Sequence, residues 1–134
     1  MSRKKILVVE DNEDNRHILV YRLRKIGDFD ILEATHGEEA LNIIATNPPD
    51  LMFLDLKLPV LDGWETARRI RAMDGPIRNL PIIALTATTL TSAERAALEQ
   101  SVRTVIQKQG LERDALLQEL RGLLHAYSGT VPAG

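Results

Sequence analysis

The chain has 134 residues, of which 44% are hydrophobic and 27% charged, the profile of one globular domain with enough bulk for its own core. Seventeen basic residues against nineteen acidic ones leave a net charge of −2, and there is no cysteine. These values exclude a disulfide scaffold, a thiol nucleophile and a zinc–thiolate site, and they provide no electrostatic footprint for non-specific nucleic-acid binding.

The predicted elements alternate along the chain. A first strand is read at Ile6-Leu7-Val8-Val9, followed by a helix whose apolar stripe is Leu19, Leu23 and Ile26, with Gly27 as its C′ residue. A weaker strand at Ile31-Leu32-Glu33-Ala34 precedes a helix carrying Ala40, Leu41 and Ile44. Pro48-Pro49 separates that helix from the strand Leu51-Met52-Phe53-Leu54. A third helix carries Ala67 and Ile70 and is expected to end at Gly75-Pro76, and Pro81 opens a strand at Ile82-Ile83-Ala84-Leu85. Thr91 and Glu94 have capping-box spacing at the start of a fourth helix. A fifth strand is read from Val102 to Ile106, and Leu116, Leu117, Leu120, Leu123 and Leu124 mark one face of a last helix. From Tyr127 onward the composition reads as a frayed tail, so a domain over 1–126 and a flexible tail over 127–134 are expected.

Continuous apolar strand runs fit strands buried on both faces. Five βα repeats then imply an α/β, doubly wound parallel sheet with helices on both faces. No apolar run reaches the ~20 residues of a membrane span, and the first residues lack the apolar core of a signal peptide. A cytoplasmic protein with no membrane partner is the expectation. Only five residues are aromatic, too few for a platform that stacks single-stranded nucleic acid.

In open α/β sheets, ligands bind beyond the carboxyl ends of the strands. Glu10, Asp11 and Asn12 follow strand one, Asp55 follows strand three, Thr86 strand four and Lys108 strand five. One polar residue at a strand end is ordinary, because the chain is leaving the core there. The set is more informative. Three neighbouring carboxylates disfavour one another's ionisation, and a hard divalent cation such as Mg²⁺ removes that conflict. A lysine and a threonine beside them suit a phosphoryl group. The chemistry indicated is phosphoryl transfer to a carboxylate nucleophile, with Asp55 the best candidate because it ends the central strand.

With these residues in place, the sequence looks like the receiver domain of two-component response regulators, over about Lys5 to Leu124. The resemblance is carried by Val9-Glu10-Asp11-Asn12, Leu54-Asp55-Leu56-Lys57-Leu58-Pro59-Val60-Leu61-Asp62-Gly63, Ala84-Leu85-Thr86-Ala87 and Lys108, in order and with family-like spacing. It implies a sheet of order 2-1-3-4-5 flanked by five helices. It implies Asp55 as phosphoacceptor and Mg²⁺ held by Asp11, Glu10, Asp55 and the backbone carbonyl of Lys57. It further implies that Lys108 pairs with the phosphoryl group and that Thr86 moves to hydrogen-bond it. The implied donor is a histidine kinase or a histidine phosphotransfer protein. The implied output is a downstream protein target bound through helix four, strand five and helix five, a face that could also form a dimer.

The sequence departs from the family pattern at two places. Gln109 follows Lys108 where a proline is usual, so a trans peptide is expected there, with Gly110 absorbing the changed path. Val105 replaces the usual aromatic three residues before the lysine, and a valine has no ring to swing. The segment around Val105 to Gly110 is similar to receivers of hybrid histidine kinases.

Pro59 is expected to fix the loop after Asp55, and Gly63 to supply positive φ before helix three. Trp64 is read as packing, Arg68, Arg69 and Arg71 as a solvated basic face, and His17, His36 and His125 as solvated or capping. The expected function is a single-domain regulator that acts on no external substrate beyond its own phosphorylation and dephosphorylation. A degenerate receiver that binds partners without phosphorylation is the alternative. A phosphohydrolase of the haloacid-dehalogenase type is opposed by Lys57, which stands where its general acid would be. A flavin-binding domain is opposed by the acidic run Glu10 to Asp14.

Overall fold

The computed structural model describes residues 4–57, 62–87 and 90–107. Lys108, Gln109, Gly110, the last helix with its leucine face, His125, the tail, Pro59, Thr88 and Thr89 lie outside the described residues.

Five parallel strands form one sheet in the order β2-β1-β3-β4-β5. They are β1 (Lys5–Val9), β2 (Asp30–Ala34), β3 (Leu51–Asp55), β4 (Ile82–Thr86) and β5 (Thr104–Gln107). Four helices are described: α1 (Glu13–Ile26), α2 (Gly37–Thr46), α3 (Gly63–Arg71) and α4 (Ser92–Leu98), with a 3-10 turn at Pro76–Asn79. The doubly wound α/β architecture and the strand order agree with the sequence reading.

The register joins Val9 to Leu54, Leu54 to Ala84 and Ala84 to Val105. All five residues of β3 and of β4 are buried, which explains their unbroken apolar runs. The alternation of side chains across the sheet makes two cores. Leu7, Val9, Met52, Leu54, Ile82, Ala84 and Val105 pack with Ala40, Ile44, Ala67, Ile70 and Leu98 from α2, α3 and α4. Ile6, Val8, Leu51, Phe53, Ile83 and Leu85 pack with Leu19, Val20 and Leu23 from α1.

Helix starts follow the expected capping chemistry. Asn12, His36, Asp62 and Thr91 each accept a backbone N–H three residues on. For Thr91 the reciprocal bond from its own N–H to Glu94 completes the capping box. His36 is therefore a cap, as its sequence position allows.

Several boundaries differ from the sequence reading. Gly27 ends α1 with extended backbone, φ −167°, rather than in the left-handed C′ conformation. A Cβ there would meet the Phe29 ring at 3.1 Å, so the ring would have to shift by a few tenths of an ångström to admit a side chain. α3 ends at Arg71, four residues before Gly75, because Gly75-Pro76 starts the 3-10 turn instead of stopping the helix. Gly75 has φ 87°, the one positive-φ glycine among the described residues. β5 starts at Thr104, and Val102 is a buried loop residue before it. Trp64 is 36% exposed rather than packed away. No helix among the described residues is long and apolar enough to cross a membrane.

Candidate functional site

The strand order places the carboxyl ends of β1 and β3 side by side, and the residues that leave those ends meet there. One carboxylate oxygen from each of Glu10, Asp11 and Asp55 lies within 4.8 Å of the others. Glu10 and Asp55 are each only 2% exposed, whereas Asp11 is open to solvent. Burying two carboxylates beside a third is costly unless their charge is compensated. The donor set is all oxygen and hard, which fits a divalent cation such as Mg²⁺ with its remaining positions open to water or a phosphoryl oxygen.

Local hydrogen bonds hold Glu10 and Asp55 in place. The N–H of Asn12 donates to Glu10 Oε2 at 3.1 Å, and the N–H of Glu10 itself donates to Ala34 in β2 at 3.0 Å. Arg16 on α1 reaches back, with Nη1 3.1 Å from the Glu10 carbonyl and Nε 3.0 Å from Glu33 Oε1. The N–H of Lys57 donates to Asp55 Oδ1 at 3.0 Å, which orients the Asp55 carboxylate. The residue Lys57 is exposed, in keeping with a side chain that reaches for solvent.

Asp55 pairs in register with Leu85, so Thr86 stands one residue beyond that pair on the neighbouring strand. Thr86 is 6% exposed. Val105 is buried in the core layer that also holds Ala84 and Leu98. The structure thus assembles Glu10, Asp11 and Asp55 at one edge and puts Thr86 at the adjoining strand end. Lys108 lies outside the described residues.

Gly63 has a different role from the one its turn position suggested. Its φ is not positive; a Cβ on it would stand 2.3 Å from the Asp55 carbonyl oxygen. Close approach of α3 to the end of β3 requires the missing side chain. The N–H of Gly63 donates to the Leu56 carbonyl at 3.1 Å and fastens that contact.

The arginines of α3 do not form one solvated face. Arg68 and Arg69 both bind Glu65, and Arg69 also approaches Glu38 of α2 at 3.6 Å. These hydrogen bonds hold the Glu65 carboxyl at about 2, well below its usual 4.5. Arg71 turns inward instead, donating to the carbonyls of Ser101 and Arg78, both at 2.8 Å. Neither the inward turn of Arg71 nor the role of Arg16 was singled out from the sequence. For Arg16 a signal existed: a cation in the first turn of α1, beside Glu13 and Asp14, opposes the usual preference for acids there.

Comparison with known proteins agrees with this geometry. The family model described as "Response regulator receiver domain" matches residues 6–121. The protein named "Probable transcriptional regulator ycf27" from Porphyridium aerugineum is 39% identical over 108 residues, covering 81% of this chain and 43% of the relative. The sensor histidine kinase RcsC of Salmonella typhi is 32% identical over 115 residues, covering 86% of this chain and 12% of the kinase. The chain therefore spans less than half the length of these relatives. Among solved structures, the receiver domain of a sensor histidine kinase from Pseudomonas aeruginosa PAO1 is 31% identical, with a TM-score of 0.77. That match covers 96% of this chain and all of the other, whose crystal structure has a magnesium ion coordinated in the active-site cleft.

Proposed function

The chain belongs to the response regulator receiver domain family of two-component signalling, and we propose that it is a Mg²⁺-dependent phosphoacceptor that switches a partner protein. The observation that carries this reading is the convergence of Glu10, Asp11 and Asp55 within 4.8 Å, with Asp55 ending the central strand.

In this reading an Asp55 carboxylate oxygen attacks the phosphorus of a phosphohistidine on a histidine kinase or phosphotransfer protein. The new P–O bond forms as the P–N bond breaks, and the imidazole leaves. The Lys57 N–H keeps the Asp55 carboxylate turned for the attack. Glu10 and Asp11, with Asp55 and the backbone carbonyl of Lys57, would hold Mg²⁺. The ion supplies positive charge against the acids and the incoming phosphoryl group, which is what phosphoryl transfer chiefly asks of a protein site. Thr86 and Lys108 would then receive the phosphoryl oxygens, one as a hydroxyl donor and the other as a point charge.

Val105 fills a place in the core with no ring to rotate, so the change at Thr86 would travel through the segment after β4 into α4. A protein target reads that change. The chain acts on no external substrate in this account, and a cytoplasmic location suits its donor.

Intact mass after incubation with Mg²⁺ and acetyl phosphate tests the reading. The wild type should gain one phosphoryl group and Asp55→Asn none. A gain in neither chain, even with a phosphohistidine donor, would overturn it in favour of a phosphorylation-independent interaction module.

A further inference from the structure

One cavity among the described residues lies away from the acidic edge. It opens at the opposite end of the sheet, beside Pro81 and Arg103, which precede β4 and β5. Its volume of about 820 Å³ lies within the range of small-molecule sites. Arg71, Arg78 and Arg103 line it together with a single carboxylate, Glu99, and the exposed Asn79 and Gln100 add neutral polar groups to its wall.

The charges in this cavity are not balanced. Neither Arg78 nor Arg103 forms an ion pair with a described residue. Arg71 is half-buried and binds two backbone carbonyls rather than a carboxylate. Its Nε and Nη1 are fixed on Ser101 and Arg78, and Nη2 has no partner among the described residues. Those two bonds tie the 3-10 turn to the loop before β5, so the guanidinium is held in position before any ligand arrives. Burial pushes the Arg71 pKa down, yet a guanidinium remains charged at neutral pH. A cation that is pre-positioned, desolvated and lacks an anionic partner is what a phosphate-binding pocket requires.

We infer that this cavity binds a phosphate ester of nucleotide size, with its phosphates on Arg71, Arg78 and Arg103 and its nucleoside portion beside Asn79 and Gln100. The site is separate from the acidic edge and does not depend on phosphorylation of Asp55.

Calorimetric titration of the full chain with ADP tests it, with EDTA present so that no divalent cation bridges the nucleotide to the acidic edge. Saturable binding is expected, at least tenfold tighter than for inorganic phosphate. Arg78→Ser combined with Arg103→Ser should weaken ADP binding at least tenfold, while Asp55→Asn should leave it unchanged. Both arginines are exposed, so the double variant should fold, and its melting curve verifies that. Amide shifts should map binding to residues 78–80 and 101–103. No saturable ADP binding at millimolar concentration would overturn the proposal, as would equal affinity in the double variant. Inorganic phosphate binding as tightly as ADP would overturn the assigned size, and loss of ADP binding in Asp55→Asn would move the site to the acidic edge.

Discussion

A Cβ on Gly63 would stand 2.3 Å from the carbonyl oxygen of Asp55 and 2.7 Å from Cα of Leu56, so the first turn of α3 rests directly on the backbone that carries the proposed phosphoacceptor. Alanine is ordinarily better than glycine in a helix by ~1 kcal/mol. Here the sign should reverse. Gly63→Ala must push α3 away from β3, at a cost of about 1–3 kcal/mol. Denaturant unfolding should show that loss, and the acetyl phosphate reaction should slow because the end of β3 shifts. An unchanged or raised stability would mean that the contact gives way easily.

Arg16 links the Glu10 carbonyl to Glu33 with its side chain only 13% exposed. It touches no reacting atom and acts by fixing the acidic segment. Partners of this kind typically change metal affinity by about 10–100-fold. Arg16→Ala should weaken Mg²⁺ binding roughly tenfold at saturating phosphodonor, with little change in rate once Mg²⁺ is saturating. Arg16→Lys, which keeps the charge but not the fork, should recover only part of the affinity. A rate loss that Mg²⁺ cannot restore would contradict the positioning role.

Much of this was legible in the sequence because the relevant signals are local. Buried parallel strands announce themselves as unbroken apolar runs, as at Phe53 and Ile83. The Thr91–Glu94 capping box is a three-residue spacing. The acids of the site sit at strand ends, where fold class alone says to look. The errors came from long-range packing. Gly63 reads as a turn glycine until the Asp55 backbone is seen 2.3 Å from its missing Cβ. Arg71 reads as one of three surface arginines until its partners, Ser101 thirty residues away and Arg78, are placed. Gly75-Pro76 reads as a helix stop, but α3 ends four residues earlier and the pair opens a separate turn.

Binding of Mg²⁺ to the native chain alone should raise stability by linkage, by ~2.7 kcal/mol at a hundred times its Kd. Thermal unfolding with and without Mg²⁺ reads this directly. Asp11→Asn removes one of the three carboxylates, so its melting temperature should respond much less to the ion. EDTA should abolish phosphorylation of the wild type. A Mg²⁺ response unaltered in Asp11→Asn would place the ion elsewhere.

The Glu65 carboxyl, held at about 2 by Arg68 and Arg69, gives a pH test with a definite sign. Its folded pKa lies below the unfolded one. Its contribution is therefore complete above pH 4.5 and is lost as pH falls toward 2. The pair is open to solvent, so the effect is small and screened by salt. A carbon-detected titration should find Glu65 titrating below the other surface carboxylates, and Glu65→Gln should flatten the fall in stability over that window. A midpoint near 4.5 would show that the two arginines do not hold it in solution.

Locating the phosphoryl group is the decisive measurement. The chain is phosphorylated with acetyl phosphate and Mg²⁺, the acyl phosphate is reduced with borohydride, and the peptides are mapped by mass spectrometry. The account predicts that the reduced residue is Asp55 and that Glu10 and Asp11 are untouched. Reduction at Glu10 or Asp11 in place of Asp55, or a phosphoryl group retained on a hydroxyl side chain, would contradict it.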